Sequence, residues 1–158
     1  MNSPRELLKA ASIEAMQGKS KTHDLNPNAV RSTKSLGTVV GLTNLGFDLM
    51  TVMPGLEASE YHRHLHEEEC YYIVAGHGEV VIGEKSHAIE IGDFLGFPAN
   101  GVAHTLKNIG DEPLVFLAAR QMLVQDVCDY PCQNKRLYMN GTEEAFVNMS
   151  DVVQLKTM

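Results

Sequence analysis

From Thr38 to Arg120 the chain is a succession of short strand-like runs broken by turn residues, and that pattern leaves few architectures open. The runs are Thr38 to Leu42, Phe47 to Met53, Tyr61 to His64, Tyr71 to Ala75, Gly78 to Ile82, Ser86 to Ile91, Asp93 to Phe97, His104 to Asn108 and Leu114 to Arg120. Gly83-Glu84-Lys85 reads as a hairpin turn between two of them. Many short strands at regular spacing predict a sandwich or barrel. No internal repeat or low-complexity segment interrupts the pattern.

The flanks read differently. Ser3, Pro4 and Glu6 have the order of a helix start, with a capping serine, a proline in the first turn and a capping-box glutamate. Leu7, Leu8, Ala11, Ile13, Ala15 and Met16 then predict an amphipathic helix that ends near Gly18. Residues 19–35 are polar, with Asn26-Pro27-Asn28 as a turn, and read as an irregular arm or edge strand. The expected division is an N-terminal helix and arm over 1–36, a barrel over 37–122, and an extension over 123–158 that packs on the barrel or on a partner subunit. At 158 residues this is one domain with a real core.

Charge and composition exclude several classes. A formal net charge of −7 argues against a broad nucleic-acid surface. No apolar stretch approaches the roughly 20 residues needed to span a bilayer. Met1-Asn2-Ser3-Pro4-Arg5-Glu6 lacks the apolar run of a secretion signal, so the cytoplasm is the expected location. Three cysteines, an odd number, fit a reducing compartment better than a disulfide framework.

The chemistry is concentrated between His62 and Asn108. His62 and His64 alternate onto one face of a strand. Glu69 follows a kink and opens the run Tyr71-Tyr72-Ile73-Val74, and His104 comes from a separate strand. Three imidazoles and a carboxylate suit a borderline divalent metal such as Zn, Mn, Fe or Ni.

The spacing of these residues resembles that of the cupins, whose first motif is Gly, five residues, His-x-His, three or four residues, Glu, six residues, Gly. Here six residues separate Gly55 from His62, four separate His64 from Glu69, and six separate Glu69 from Gly76. The second cupin motif is Gly, five residues, Pro-x-Gly, two residues, His, three residues, Asn. This chain has Gly92, five residues, Pro98, two residues instead of one, Gly101, two residues, His104, three residues and Asn108. Both departures fall in loops. The resemblance, over roughly residues 37–122, implies an all-β double-stranded β-helix (a jelly-roll barrel) with a short N-terminal helix and a C-terminal extension. It also implies His62, His64, Glu69 and His104 as metal ligands, and homodimer formation. In the segment Gly92 to Pro98 the chain looks like small single-domain bacterial cupins loosely grouped with sugar-phosphate isomerases.

Neighbouring residues follow from strand parity. Tyr71 and Ile73 share the face of Glu69 and line the pocket, while Cys70 and Tyr72 point away, with Cys70 expected as a small core residue. Glu60 shares the face of His62, and together with Tyr71 it is a candidate proton-transfer group. Its alternative is a charge on the rim. Leu106 is expected as a pocket wall, Phe94 and Phe97 as core, and His66 in a loop or behind the ligands. Glu67 and Glu68 are expected in solvent. Cys128 and Cys132 have no second ligand pair near them and are expected to pack. Arg120 is either a solvated strand end or the one cation able to reach the pocket.

The leading functional expectation is a metal-dependent isomerase of a small sugar-like or polyol substrate, in a phosphorylated form if a pocket cation is present. The alternatives are an iron-dependent dioxygenase and a non-catalytic, metal-dependent metabolite-binding protein.

Overall fold

The computed structural model describes residues 5–156. Its strands are β1 (Lys19–His23), β2 (Asn26–Ser35), β3 (Leu45–Val52), β4 (Arg63–His64), β5 (Glu69–Ala75), β6 (His77–Ile82), β7 (Lys85–Glu90), β8 (Phe94–Phe97), β9 (His104–Lys107), β10 (Leu114–Gln121), β11 (Gln125–Tyr130), β12 (Lys135–Asn140) and β13 (Glu143–Asn148). Two short helices accompany them, α1 (Ala10–Ala15) and α2 (Leu36–Val40).

One layer is the six-stranded sheet β1-β2-β3-β10-β5-β8. The other is built from β7-β6-β9 and β13-β12-β11-β4. An antiparallel bridge between His62 and His104 joins these two pieces. Ile73, Phe116, Leu114, Val52, Val80 and Leu106 fill the space between the layers. Alternation along β10 is regular, with Leu114, Phe116 and Ala118 buried and the residues between them partly exposed. This is the double-stranded β-helix that the strand pattern and the motif spacing imply.

Two motif glycines show why the loops tolerate little change. Gly76 joins β5 to β6 at φ +78°, and a Cβ there would run into the Pro113 carbonyl. Gly101 lies so close to Pro98 that a Cβ would sit 2.8 Å from its carbonyl oxygen. Asn108 is buried, donates to the Val52 and Glu112 carbonyls at 2.8 Å each and accepts from Gly110, so it ties three segments together.

Several local expectations need correction. Thr38 to Val40 belong to α2 and not to a strand, although they are β-branched. Gly41, at φ +89°, closes that single turn, with Leu42 N–H reaching the Gly37 carbonyl at 2.9 Å. The N-terminal helix is confined to Ala10–Ala15, with Arg5 and Glu6 in a turn. Ser3 and Pro4, the expected helix start, lie outside the described residues. The α1 end is held from elsewhere, because Lys34 Nζ donates to the Ile13 carbonyl at 2.8 Å and the Glu14 carbonyl at 3.1 Å. The hairpin turn of the arm falls at Asp24-Leu25, and Asn26 already opens β2. Phe94 is 66% exposed instead of core, because it pairs with Tyr72 on the outer face of β5.

Candidate metal centre

The pairing of His62 with His104 builds the floor of the site. Each donates its N–H to the other's carbonyl, at 3.1 and 2.8 Å, so the two imidazoles leave adjacent strands side by side. Glu69, the first residue of β5, faces them from the opposite layer. Its Oε1 lies 2.7 Å from His104 Nε2 and 3.3 Å from His62 Nε2. Its Oε2 accepts the Tyr71 hydroxyl at 3.0 Å. Phe97 stacks on the His104 ring at 3.5 Å and 6°.

The outer nitrogens of His62 and His64 are committed to oxygen acceptors. His62 Nδ1 donates to the Glu60 carbonyl at 2.7 Å, and His64 Nδ1 to Asp126 Oδ2 at 2.5 Å. That choice of tautomer leaves each Nε2 lone pair bare. His104 Nδ1 is buried with no hydrogen-bond partner among the described residues. Bare imidazole nitrogens turned toward a buried carboxylate, with the other nitrogens of His62 and His64 anchored, form a donor set that fits a divalent cation. A cation there would also relieve the penalty of burying Glu69.

The electrostatics agree with the geometry. Burial works against ionised Glu69, but with the imidazoles protonated, hydrogen bonds from His104 and His62 and the charges of His62 and His64 stand where a cation would and hold its carboxyl well below the usual range. Burial pushes the His104 imidazole down despite Glu69. Burial, then the Glu69 charge, pushes the Tyr71 phenol well up, so its proton stays on oxygen.

His64 stands slightly apart from the other three. The ligand atoms of His62, Glu69 and His104 lie within 4.8 Å of one another, while His64 forms a similar group with Glu67 and Asp126. The His62 and His64 rings are edge to face, with centroids 5.2 Å apart. The two-residue strand β4 pairs with β11, Cys128 opposite His64, and this brings Asp126 to the imidazole. Burial depresses His64, yet the Asp126 hydrogen bond and the charges of Glu69, Asp126 and Glu67 raise it overall.

Glu67 is not in solvent. It is 5% exposed, accepts Leu123 N–H at 2.9 Å and pairs with Arg120 at 3.4 Å. Asp126 Oδ1 meanwhile accepts the N–H groups of His66 and Glu67, which folds the start of this acidic run inward. The His66 side chain is exposed. Glu60 is 6% exposed, which removes the rim alternative. Arg120 is committed to Glu67 and lines a cavity of about 450 Å³ beside Glu69, Phe97 and Cys70. Cys70 is therefore at a groove rather than in the core. Cys128 is buried, and burial pushes its thiol up to about 12, whereas Cys132 is exposed.

Four residues near the centre carry no sequence signal of their own: His23, Arg31, Asp126 and Tyr130. They come from the flanking segments, where no motif points to them. The Tyr130 ring lies 5.1 Å from His23 and 6.0 Å from His62.

Comparison with known proteins agrees with this architecture. Residues 48–120 match the cupin domain family. A crystal structure from Acidithiobacillus ferrooxidans, of a protein provisionally named a sugar phosphate isomerase, is 46% identical with a TM-score of 0.95, covering 97% of this chain and 98% of that one. This chain belongs to the cupin superfamily. A second cupin structure, described as a sugar phosphate isomerase from Silicibacter pomeroyi, is 25% identical with a TM-score of 0.81 over 94% of this chain and 96% of its own. An uncharacterized protein of Methanocaldococcus jannaschii is 31% identical over 70 residues, which are 44% of this cupin and 48% of that protein. The match thus spans about half the length of that curated relative. Among the described residues of the cupin, no helix is long and apolar enough to cross a membrane.

Proposed function

We propose that this cupin is a metal-dependent isomerase of a small sugar-like substrate, in its phosphorylated form, and that it works in the cytoplasm as a homodimer. The observation that carries the reading is the convergence of His62 Nε2 and His104 Nε2 on Glu69 Oε1, with His64 anchored alongside. His62, His64, Glu69 and His104 are the residues that would hold the metal. A bound divalent cation supplies Lewis acidity to adjacent substrate oxygens.

The chain's own residues supply the rest. Tyr71 fixes Glu69 by donating to Oε2, which keeps Oε1 turned toward the imidazoles. Glu60 is buried two positions from His62, and we assign it the proton transfer. Its carboxylate would take a proton from the carbon beside a carbonyl and return it to the neighbouring carbon. The names of the two similar solved structures support the substrate class.

Elemental analysis of the purified chain tests the first half of the reading. Incubating aldose and ketose phosphates with the protein in deuterated water tests the second, because an isomerase of this type introduces solvent deuterium at the transferred position. Stoichiometric metal with no exchange and no turnover would favour the non-catalytic binding protein. That second reading is favoured by Tyr71, whose hydroxyl is already committed to Glu69.

The homodimer reading rests on the outer face of the six-stranded sheet, where Leu45, Phe47, Tyr72 and Phe94 are exposed together. The N-terminal arm pairs through β2 with β3 of the same chain. Sedimentation at micromolar concentration decides the question, and a monomer would overturn the dimer.

A further inference from the structure

We propose that Arg31, with His23 beside it, is the oxyanion-binding end of the substrate site, recognising the phosphate or carboxylate of a molecule whose other end reaches the metal centre. The inference rests on the reading of His62, His64, Glu69 and His104 as a substrate-binding metal site.

The first support is charge balance. Among the described residues, Arg63 and Arg136 pair with Asp129, Arg120 pairs with Glu67, and Lys107 pairs with Glu57. Arg31 has no carboxylate partner among the described residues. Its Nη1 donates to the Ala58 carbonyl at 2.6 Å, which fixes one side of the guanidinium and leaves its remaining donors for a ligand. Ala29, two residues earlier in β2, is buried, so strand alternation turns Arg31 toward the barrel as well. Ala58 lies two positions from Glu60 and four from His62, on the segment that leads into the metal centre.

Arg31's surroundings are those of the site. Its charge acts on Tyr71, which holds Glu69, and on Tyr130 and His23. His23 offers a donor of its own. Leu25 N–H donates to His23 Nδ1 at 3.2 Å, which puts the ring proton on Nε2 as a donor. Burial, then the charge of His62, lowers His23 to about 4, so the ring is a neutral donor at physiological pH. The Tyr130 ring bridges the gap, with His23 on one side and His62 on the other. Arg120, the cation legible in the sequence, already has its charge matched by Glu67 and is the weaker anion site.

The test uses the full-length protein and inorganic phosphate as the probe, with acetate run in parallel, each measured by titration calorimetry before and after metal loading. Wild type should bind phosphate, Arg31→Gln should weaken it at least tenfold, Arg31→Lys should keep part of the affinity, and Arg120→Gln should leave it within about threefold. Metal content of the Arg31 variants should equal wild type, which also shows that they fold. Preference for phosphate over acetate would assign a phosphate ester, and the reverse a carboxylate. Binding of neither anion by the wild type, or equal affinity in Arg31→Gln, would overturn the proposal. Arg31-dependent phosphate binding by a chain that takes up no metal would instead sink the metal-site reading and leave the anion site standing.

Discussion

His64 Nδ1 and Asp126 Oδ2 meet at 2.5 Å although 62 positions separate them in the chain. The contact locks an imidazole of the first motif to a strand of the C-terminal extension. A carboxylate behind a ligating histidine fixes ring orientation and raises its basicity. Asp126→Asn is therefore expected to weaken metal affinity about 10- to 100-fold. Competition with a chromogenic chelator measures this, and an unchanged affinity would place His64 outside the ligand set.

His64→Ala should lose most of the bound metal, whereas His66→Ala should lose little, because only the backbone of His66 takes part in the network. Elemental analysis of both variants separates them. Equal losses would contradict the assignment of His64.

Imidazoles must be neutral to coordinate, so metal retention should fall as pH drops below the histidine range. Dialysis at pH 7 and pH 4 followed by elemental analysis checks it. Full retention at the lower pH would be incompatible with a histidine-rich site.

Asp129 is buried between Arg136, at 2.6 Å, and Arg63, at 3.2 Å. Burial opposes its charge, but Arg136 and then Arg63 outweigh that and hold the carboxyl below its usual value. With the folded value depressed, the stabilisation is complete above the ordinary carboxylate range and is lost as pH falls through the folded value. Asp129→Ala should destabilise the protein by about 2 kcal/mol at pH 7, because it removes the charged hydrogen bonds of two part-buried arginines. Urea midpoints at pH 7 and pH 3 should show a smaller acid-induced drop in the variant than in wild type.

Gly76→Ala should destabilise by about 1–3 kcal/mol, since the position requires positive φ and has the Pro113 carbonyl where a Cβ would go. Thermal unfolding measures it. A melting temperature within error of wild type would mean that the loop relaxes.

The barrel is legible in the sequence because its information is local. Alternation in β5 and β10 sorts Tyr71, Ile73 and Phe116 inward from neighbours alone, and the motif glycines mark where the chain turns. His62, Glu69 and His104 are legible for the same reason, through their fixed offsets within two segments. Asp126, His23 and Arg31 are not, because their roles arise only when β11 and β1–β2 dock beside β4 and the barrel. Glu67 misleads because burial of one glutamate in an acidic run depends on Leu123 and Arg120, more than fifty positions away. Thr38 to Val40 mislead because one left-handed glycine outweighs three β-branched residues.

The pairing of β4 with β11 also bears on how this centre could be moved or inherited. A gene segment ending at residue 120, where the cupin match stops, would encode the walls of the barrel and all four candidate ligands, yet not the strand that steers His64. Exchange of the C-terminal tail would leave the motifs untouched and still change how the His64 ring is held. The heritable unit of this site is longer than its signature.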